Sequence, residues 1–262
     1  MKQLFIIVAA CLAPVLLVWY IDRKDRYKHE PKKEIWKAFA YGVLVAIVCV
    51  IVEVLLELVG LISSESTSIG SSIWTAFVGA SFPEEIVKLL FLWLFIRKCK
   101  YFDENMDGIV YAVAVGMGFA AIENLGYLYG HLESWQSTAV MRSLMAVPCH
   151  YICAVLMGYY YSLAHFKGNK KDRYFMLLMP ILFHGVYDSL VFMMRVSGDT
   201  ILLLMLLLLA LLVFFMIRTS KVIEAHLKRD LEEYILTITP PDIPCTNEKE
   251  TGQEKYMPSP LS

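Results

Sequence analysis

The sequence has little charge for its length and no excess of either sign. Of 262 residues, 19% are Asp, Glu, Lys or Arg, and 24 basic against 25 acidic residues give a net charge of −1. No basic patch or nucleic-acid motif stands out, so we expect no nucleic-acid partner. Cysteine is sparse, and its six residues lie mostly within apolar segments. Such a distribution argues against a disulfide framework.

The chain also lacks an internal repeat and a second folded domain, and its dominant feature is apolarity. Hydrophobic residues make up 58% of it, and the mean hydropathy is +0.55. About 20 apolar residues cross a hydrocarbon core of about 30 Å as a helix. The sequence therefore predicts an all-α, polytopic helix bundle in a lipid bilayer. Continuous apolarity predicts about seven transmembrane helices: Leu4 to Tyr20, Trp36 to Ile62, Ile73 to Ile96, Gly108 to Tyr129, Thr138 to His165, Tyr174 to Met194 and Ile201 to Ile217.

Basic residues alternate between the connectors of these spans. Residues 21–37 hold seven Lys or Arg, and the segments 97–100, 167–173 and 218–229 hold most of the others. Residues 63–72 and 130–137 hold none, and Arg195 is alone in the last outer connector. The positive-inside rule then predicts a multi-pass protein of the cell membrane with its N-terminus outside and its C-terminus in the cytoplasm.

The two ends of the chain need separate interpretations. Val8-Ala9-Ala10-Cys11 resembles a lipoprotein cleavage site, but the apolar run continues to Tyr20 and the basic residues follow it, so we expect a retained span.

Lys221 to Leu236 has apolar residues at helical spacing among charges, which predicts a short amphipathic helix on the cytoplasmic side. From Pro240 onward the composition predicts disorder. We expect a transmembrane domain over 1–218 and a cytoplasmic helix and tail over 219–262.

Three charged residues, Glu84, Glu85 and Lys88, interrupt the third apolar run. Each ionisable group near the bilayer centre costs about 2.5–3.5 kcal/mol on insertion scales, so such a group needs a partner or a wet cavity. Spacings of three and four place both carboxylates beside Lys88 on one helix face. Lys88 can therefore balance one carboxylate, leaving the other to act on water. Pro83 predicts an interruption of the helix immediately before them. The alternative is an ion pair that only joins helices.

Further polar residues occur in the following spans. Glu123 and Asn124 follow small residues in the fourth span, His150 follows a proline in the fifth, and His184 and Asp188 lie one helical turn apart in the sixth. At 1.5 Å per residue, the carboxylates and His184 lie about 15–22 Å from the inner ends of their helices. Polar groups from different helices at one depth predict a single site.

The ordered set of these motifs resembles the PrsW-type bacterial intramembrane proteases, which are relatives of the CAAX prenyl endopeptidases. The similarity covers about residues 80–190, and Glu123 and Asp188 favour the PrsW branch, because CAAX enzymes have His and Asn at the equivalent places. The motifs are Glu84-Glu85-x-x-Lys88, Phe119-x-x-x-Glu123-Asn124 and His184-x-x-x-Asp188.

The resemblance implies a protease domain within residues 1–218 and a role for each motif residue. It implies catalysis by Glu84, Glu85, Glu123 and His184, and we assign supporting roles to Lys88, Phe119, Asn124, His150 and Asp188. It also implies a membrane-anchored protein substrate, namely a single-span anti-sigma factor cleaved on its extracytoplasmic side. The N-terminal span and the C-terminal tail lie outside the resemblance.

Two mechanisms fit these residues. A glutamic mechanism needs no cofactor, and we favour it because catalytic zinc sites usually carry two His within one helical turn, a spacing absent here. The alternative is zinc held by His150, His184 and glutamates. Cys149-His150-x-x-Cys153 looks metal-like, but packing explains it better. Glu53 and Glu57 are interpreted as interface or cavity-lining residues.

A different class of function is a proton-coupled transporter, because buried carboxylates and His also form proton relays. The sequence lacks the paired half-length repeats that such transporters usually have, which argues against a transport function. A binding protein without catalysis would lack motif residues, and all of them are present.

Overall fold

The computed structural model describes residues 1–26, 28–63, 67–196 and 198–238, and these ranges contain helices and no β-strand. The all-α prediction is thus confirmed. The residues that we expected to be disordered, from Pro240 onward, lie outside the described ranges. The helices are α1 (Lys2–Lys24), α2 (Lys32–Leu58), α3 (Ile69–Trp74), a π-helical segment (Thr75–Ser81), α4 (Phe82–Ile96), α5 (Asn105–Gly130), α6 (Trp135–Leu144), α7 (Ala146–Phe166), α8 (Lys170–Val196) and α9 (Ile201–Ile238).

Six helical stretches in the described ranges are long and apolar enough to cross a membrane: α1, α2, α5, α6 with α7, α8 and α9. The third predicted span, Ile73 to Ile96, falls on the continuous run of α3, the π-helical segment and α4. Each helical segment of this run is short by itself, and the longest, α4, has 15 residues. The polytopic helix bundle predicted from hydropathy is confirmed, and the chain is a multi-pass membrane protein.

Helix α5 occupies the centre of the bundle. Every residue from Asn105 to Ala121 is buried, and α1, α2, α4, α7 and α9 all pack against it. From 108 to 121 its sequence is apolar or small on all sides, as expected of a helical segment that has no face toward solvent or lipid. The other helices surround α5, so a residue on it can meet side chains from several of them.

Three glycines allow this close packing. A Cβ atom on Gly118 of α5 would collide with the carbonyl oxygen of Phe39 in α2, and one on Gly42 would collide with the carbonyl oxygen of Val115. Gly158 of α7 meets the backbone of α5 in the same way. Small residues at helix crossings let backbones approach and gain dispersion contacts, which is the main source of helix association in lipid.

The helix interruption expected at Pro83 is a π-helical segment just before it. Thr75–Ser81 is wound as a π-helix, and Pro83 lies directly after it in the first turn of α4. A π-helical turn widens the backbone and shifts the direction of the side chains that follow. Glu84 and Glu85 occupy the first turn after this change.

Helix α9 continues without a break from the last apolar span through Lys221 to Leu236. Thr219 just before this extension and Ile223, His226 and Asp230 within it lie at helical spacing and are buried against the bundle. The cytoplasmic helix expected from the sequence is thus the end of the last transmembrane helix, and it packs on protein. The cysteines in the described ranges are free thiols.

We predict that Gly118→Ala destabilises the protein by about 1–3 kcal/mol, because the new methyl group forces α2 and α5 apart. Gly126→Ala on the same helix is the matched control, since a Cβ there meets no atom within 4 Å. That control should be neutral or stabilising by up to about 1 kcal/mol, because Ala favours helix. Thermal unfolding of both variants in detergent measures the difference. Equal midpoints would show that the contact between α2 and α5 is not tight.

Candidate active site

Four helices bring six polar side chains together near the middle of the bundle. Helix α4 supplies two carboxylates and a lysine, α5 a carboxylate, and α7 and α8 one histidine each. We call this group the central cluster, and its members are Glu84, Glu85, Lys88, Glu123, His150 and His184.

The Lys88 ammonium group is the hub of the cluster. Its Nζ atom lies 2.8 Å from Glu85 Oε1, 3.0 Å from Glu84 Oε2 and 3.3 Å from His150 Nδ1. It also lies 4.0 Å from the centroid of the Phe119 ring, a distance typical of a cation–π contact. Lys88 therefore contacts both carboxylates, as their spacing predicted, and its single charge balances one of them. Phe119, known from the sequence only as a motif position, forms one wall of the ammonium site.

His184 lies between two carboxylates. Its Nδ1 atom is 2.9 Å from Glu85 Oε1, and its Nε2 atom is 3.3 Å from Asp188 Oδ2. The i, i+4 pairing of His184 with Asp188 is the one expected from their spacing. Its Nδ1 atom is also 4.0 Å from Glu84 Oε2, so the ring and that carboxylate can contact one small molecule between them.

His150 joins the cluster from α7, and its contacts define its tautomer. Its Nδ1 atom faces the ammonium group of Lys88, which can only donate, so Nδ1 must accept. The proton is then on Nε2, which donates to Glu123 Oε2 at 2.7 Å. The rings of His150 and His184 meet edge to face with centroids 5.1 Å apart. The sequence assigned His150 a supporting place, and no spacing within the chain indicated this contact with Lys88 and Glu123.

Glu123 and Asn124 have different surroundings from those of the α4 carboxylates. Glu123 Oε2 forms an ion pair of 2.6 Å with Arg142, a residue of α6 that sequence reasoning left outside the site. Asn124 faces away from the cluster: its amide donates to the carbonyl of Ala10 in α1 and accepts from Arg142 Nε at 2.6 Å. Asn124 thus fixes α1 and Arg142, and Arg142 fixes Glu123. A single arginine near the end of a span gives no sequence signal for such a role.

A cavity of about 700 Å³ leads to one side of the central cluster. Glu84, Glu123, His150, His184 and Asp188 all line it. It extends toward the ends of α5 and α8 that carry Tyr129, His131 and Arg195, and Glu53 on α2 also lines it. Glu57, which the sequence grouped with Glu53, is exposed outside it.

The two adjacent carboxylates differ in their access to this cavity. The Glu84 side chain is 15% exposed and lines the cavity, whereas Glu85 is completely buried behind it, against Lys88 and His184. The second oxygen of Glu85, Oε2, has no hydrogen-bond partner. Of the pair, therefore, only Glu84 can meet water or a substrate from the cavity.

The cluster also contains a set of metal-binding atoms. One donor atom from each of Glu84, Glu85, His150 and His184 lies within 4.8 Å of the others. Two imidazoles with carboxylates are a common ligand set for zinc, and the free Oε2 atom of Glu85 fits such a role. The two histidines come from different helices, so the short His spacing sought in the sequence does not apply here. Cys149 and Cys153 lie in a separate apolar cluster with Ile152, where they act as packing residues.

Comparison with known proteins assigns the family. Residues 30–217 match the family described as "PrsW family intramembrane metalloprotease". Protease PrsW of Geobacillus kaustophilus is 35% identical over 192 residues, which are 72% of this chain and 80% of that protein. Protease PrsW of Clostridioides difficile is 34% identical over 186 residues, covering 69% and 76% of the two chains, and that of Bacillus subtilis is 34% identical over 192 residues, covering 72% and 84%.

No solved structure matches the chain. The family match extends the similarity beyond the three motifs to nearly the whole helical bundle after α1, and it decides between the protease and the transporter left open by the sequence. The chain belongs to the PrsW family of intramembrane proteases and is a membrane hydrolase that acts on peptide bonds.

Proposed function

We propose that the protein hydrolyses a peptide bond of a membrane-anchored protein at the central cluster, with Glu84 as the base that activates water. The observation that carries this proposal is the asymmetry of the α4 pair: Glu84 faces the cavity, and Glu85 is enclosed with Lys88 and His184. A general base must reach the proton that it abstracts, and in this pair only Glu84 meets that condition.

The reaction follows from the contacts around Glu84. Glu84 removes a proton from a water molecule in the cavity, the water oxygen bonds to the carbonyl carbon, and negative charge develops on the carbonyl oxygen. His184 lies between Glu85 and Asp188 and lines the same cavity within 4.0 Å of Glu84, so its imidazolium form, with each ring nitrogen beside a carboxylate, stabilises that negative charge electrostatically. When the C–N bond breaks, Glu84 passes the proton to the leaving amine. Lys88 stabilises the ionised form of Glu84 at the start of each cycle.

A metal-dependent variant of the same function is the second candidate. The donor set of Glu84, Glu85, His150 and His184 and the family's description as metalloproteases favour it. A bound zinc ion would polarise the carbonyl group and lower the pKa of water. Against it stands Lys88, whose ammonium group lies within 3.3 Å of three of these four residues and would face the dication directly. We therefore rank the metal-free reaction first.

The PrsW-type resemblance suggests the substrate, and the resemblance together with the distribution of basic residues suggests the side of cleavage. The PrsW-type resemblance suggests a single-span anti-sigma factor, cleaved on its extracytoplasmic side. Basic residues such as Arg97 and Lys170 lie at the end of the bundle opposite the cavity mouth, which supports an opening to the outside of the cell membrane with a cytoplasmic C-terminus.

We predict that Glu84→Gln lowers cleavage at least about 10²-fold with normal protein abundance, because general-base catalysis contributes about 10²–10⁴-fold. Glu85→Gln breaks a fully buried ion pair and should cost about 3–5 kcal/mol of stability, so the protein accumulates poorly. The assay is co-expression with a single-span protein tagged at both ends, followed by immunoblotting of fragments and enzyme. Glu57→Gln, an exposed carboxylate outside the cavity, is the control. Full activity of Glu84→Gln would exclude it as the base.

Treatment with a chelator distinguishes the metal-free reaction from the metal-dependent one. We expect purified protein to keep its activity after treatment with 1,10-phenanthroline and to contain less than one zinc per chain, because Lys88 already balances the carboxylates. Metal content by mass spectrometry and activity before and after chelation are the measurements. Loss of activity that zinc alone restores would establish the metal-dependent reaction instead.

The proposed orientation predicts the location of fused reporters. Alkaline phosphatase fused after His131, in the connector between α5 and α6, should be exported and active, whereas the same fusion after Gly168, between α7 and α8, should remain inactive in the cytoplasm. The reverse pattern would place the cavity mouth on the cytoplasmic side.

A further inference from the structure

The N-terminal helix α1 lies outside the residues that match the family, which begin at residue 30, yet it packs on helices that carry the central cluster. It contacts α5, α6 and α7. Its buried residues include Ile6, Ala10, Pro14 and Val18, which follow one another at a spacing of four and form one stripe. The groups on this stripe are therefore the ones through which α1 can act on the site.

Pro14 leaves one backbone carbonyl on this stripe without its helical donor. Proline has no N–H, so the carbonyl of Ala10, four residues earlier, receives no hydrogen bond from position 14. In a membrane bundle such a freed carbonyl has to be satisfied by a neighbouring group. The side-chain amide of Asn124 in α5 donates to this oxygen at 3.1 Å, and Asn124 is 1% exposed. The proline in α1 thus creates the acceptor that holds Asn124.

Helix α6 is also held by α1. None of its ten residues is fully buried, so its position depends on a few partly buried side chains. Among these, Trp135 and Ala139 pack against an apolar group that includes Ala10 of α1. Trp135, Ala139 and Arg142 lie at positions i, i+4 and i+7, which share one face of a helix. The face of α6 that rests on α1 therefore also carries Arg142.

Arg142 is fixed on three sides. Its Nε atom donates to Asn124 Oδ1 at 2.6 Å, and its guanidinium group lies 4.0 Å from the centroid of the Tyr127 ring. Its Nη2 atom lies 2.6 Å from Glu123 Oε2, and the same oxygen accepts from His150 Nε2 at 2.7 Å. A planar guanidinium group held at its edge and on its face has one orientation, so it determines where this carboxylate oxygen lies.

We infer that α1 orders the active site through Arg142, a positioning residue that sets Glu123 and, through it, His150. The inference rests on the proposed function, because it concerns the geometry of the reaction at the central cluster. The bond from Nε2 of His150 to Glu123 leaves Nδ1 to accept from Lys88. When Glu123 is displaced, the imidazole loses the partner that selects this tautomer, and Lys88 loses one of the groups that fix it. A displacement of about 1 Å can lower a rate about 10²-fold.

Pro14→Ala tests the part played by α1. The variant returns an N–H donor to the Ala10 carbonyl, and this helical hydrogen bond competes with Asn124 for the oxygen. We expect cleavage in the co-expression assay to fall at least about tenfold, whereas the thermal unfolding midpoint does not fall, because Ala is a much better helix former than Pro. Leu12→Ala, at an exposed position of the same helix, is the control and should cleave like the parent. Parental cleavage by Pro14→Ala would contradict the inference.

Variants of Arg142 separate positioning from charge and from substrate binding. Arg142→Lys keeps the positive charge but loses the planar fork, so kcat of the purified protein in lipid should fall at least about tenfold with little change in KM. Parental activity of Arg142→Lys beside an inactive Arg142→Met would show that charge alone matters, and a raised KM with unchanged kcat would indicate contact with the substrate. Either result would overturn the positioning role.

A double variant tests whether α1 acts through Arg142. Because both changes affect the same contact, Pro14→Ala combined with Arg142→Met should lower kcat no further than Arg142→Met alone. Multiplied effects of the two changes would show that α1 acts by another route and would overturn the inference.

The tautomer of His150 provides a measurement that needs no substrate. ¹⁵N NMR of the full-length protein, labelled at histidine and assigned with His150→Gln, distinguishes the two neutral tautomers. The parent and Leu12→Ala should show the Nε2–H form, and Pro14→Ala and Arg142→Met should show a mixture. An unchanged His150 signal in both variants would overturn the inference. A changed signal in both, together with full activity of Glu84→Gln, would support the positioning and reject the proposed base.

Discussion

The ammonium group of Lys88 holds two carboxylates, an imidazole and a phenyl ring around one point in the apolar interior of the bundle. An isolated charge at this depth costs about 2.5–3.5 kcal/mol even on insertion scales, and three charges on one helix would make α4 a poor membrane helix by itself. Mutual pairing offsets part of that cost. The pairing also fixes α4, α5, α7 and α8 relative to one another, because each supplies a group that contacts Lys88 or one of its partners.

The same arrangement gives the adjacent residues Glu84 and Glu85 different access to the cavity. Glu85 is surrounded by Lys88 and His184 and has no access to the cavity, whereas Glu84 shares Lys88 but faces the cavity. Side chains of consecutive helical residues point about 100° apart, so one of the pair is directed inward and the other toward the opening. A buried carboxylate that orients a histidine and an accessible one that acts on water are the two positions that the proposed reaction needs.

Helix α5 connects this centre to the opposite end of the bundle. Near one end it carries Phe119 and Glu123, and at the other it starts with the acidic residues around Asp107. Gly118 and Gly42 let α2 lie directly against its backbone, and this contact fixes the position of α5 beside α2. The bundle thus places the charged residues at two levels of one helix and fills the space between them with closely packed apolar side chains.

The sequence by itself determined the membrane-spanning helices, the polar motifs and their approximate depth, because hydrophobic length and the i, i+4 spacing of Glu84 with Lys88 and of His184 with Asp188 are local properties. It also indicated the protease family through the order of those motifs. Only the tertiary structure brought His150 to Lys88 and paired Arg142 with Glu123. It likewise turned Asn124 toward α1 and separated the accessible Glu84 from the enclosed Glu85. These contacts depend on how each helix is rotated about its axis, and residues 108–121 of α5 are apolar or small on all sides, so their pattern favours no orientation. Close backbone contacts such as that of Gly118 with α2 fix the rotation, and they form between residues far apart in the chain.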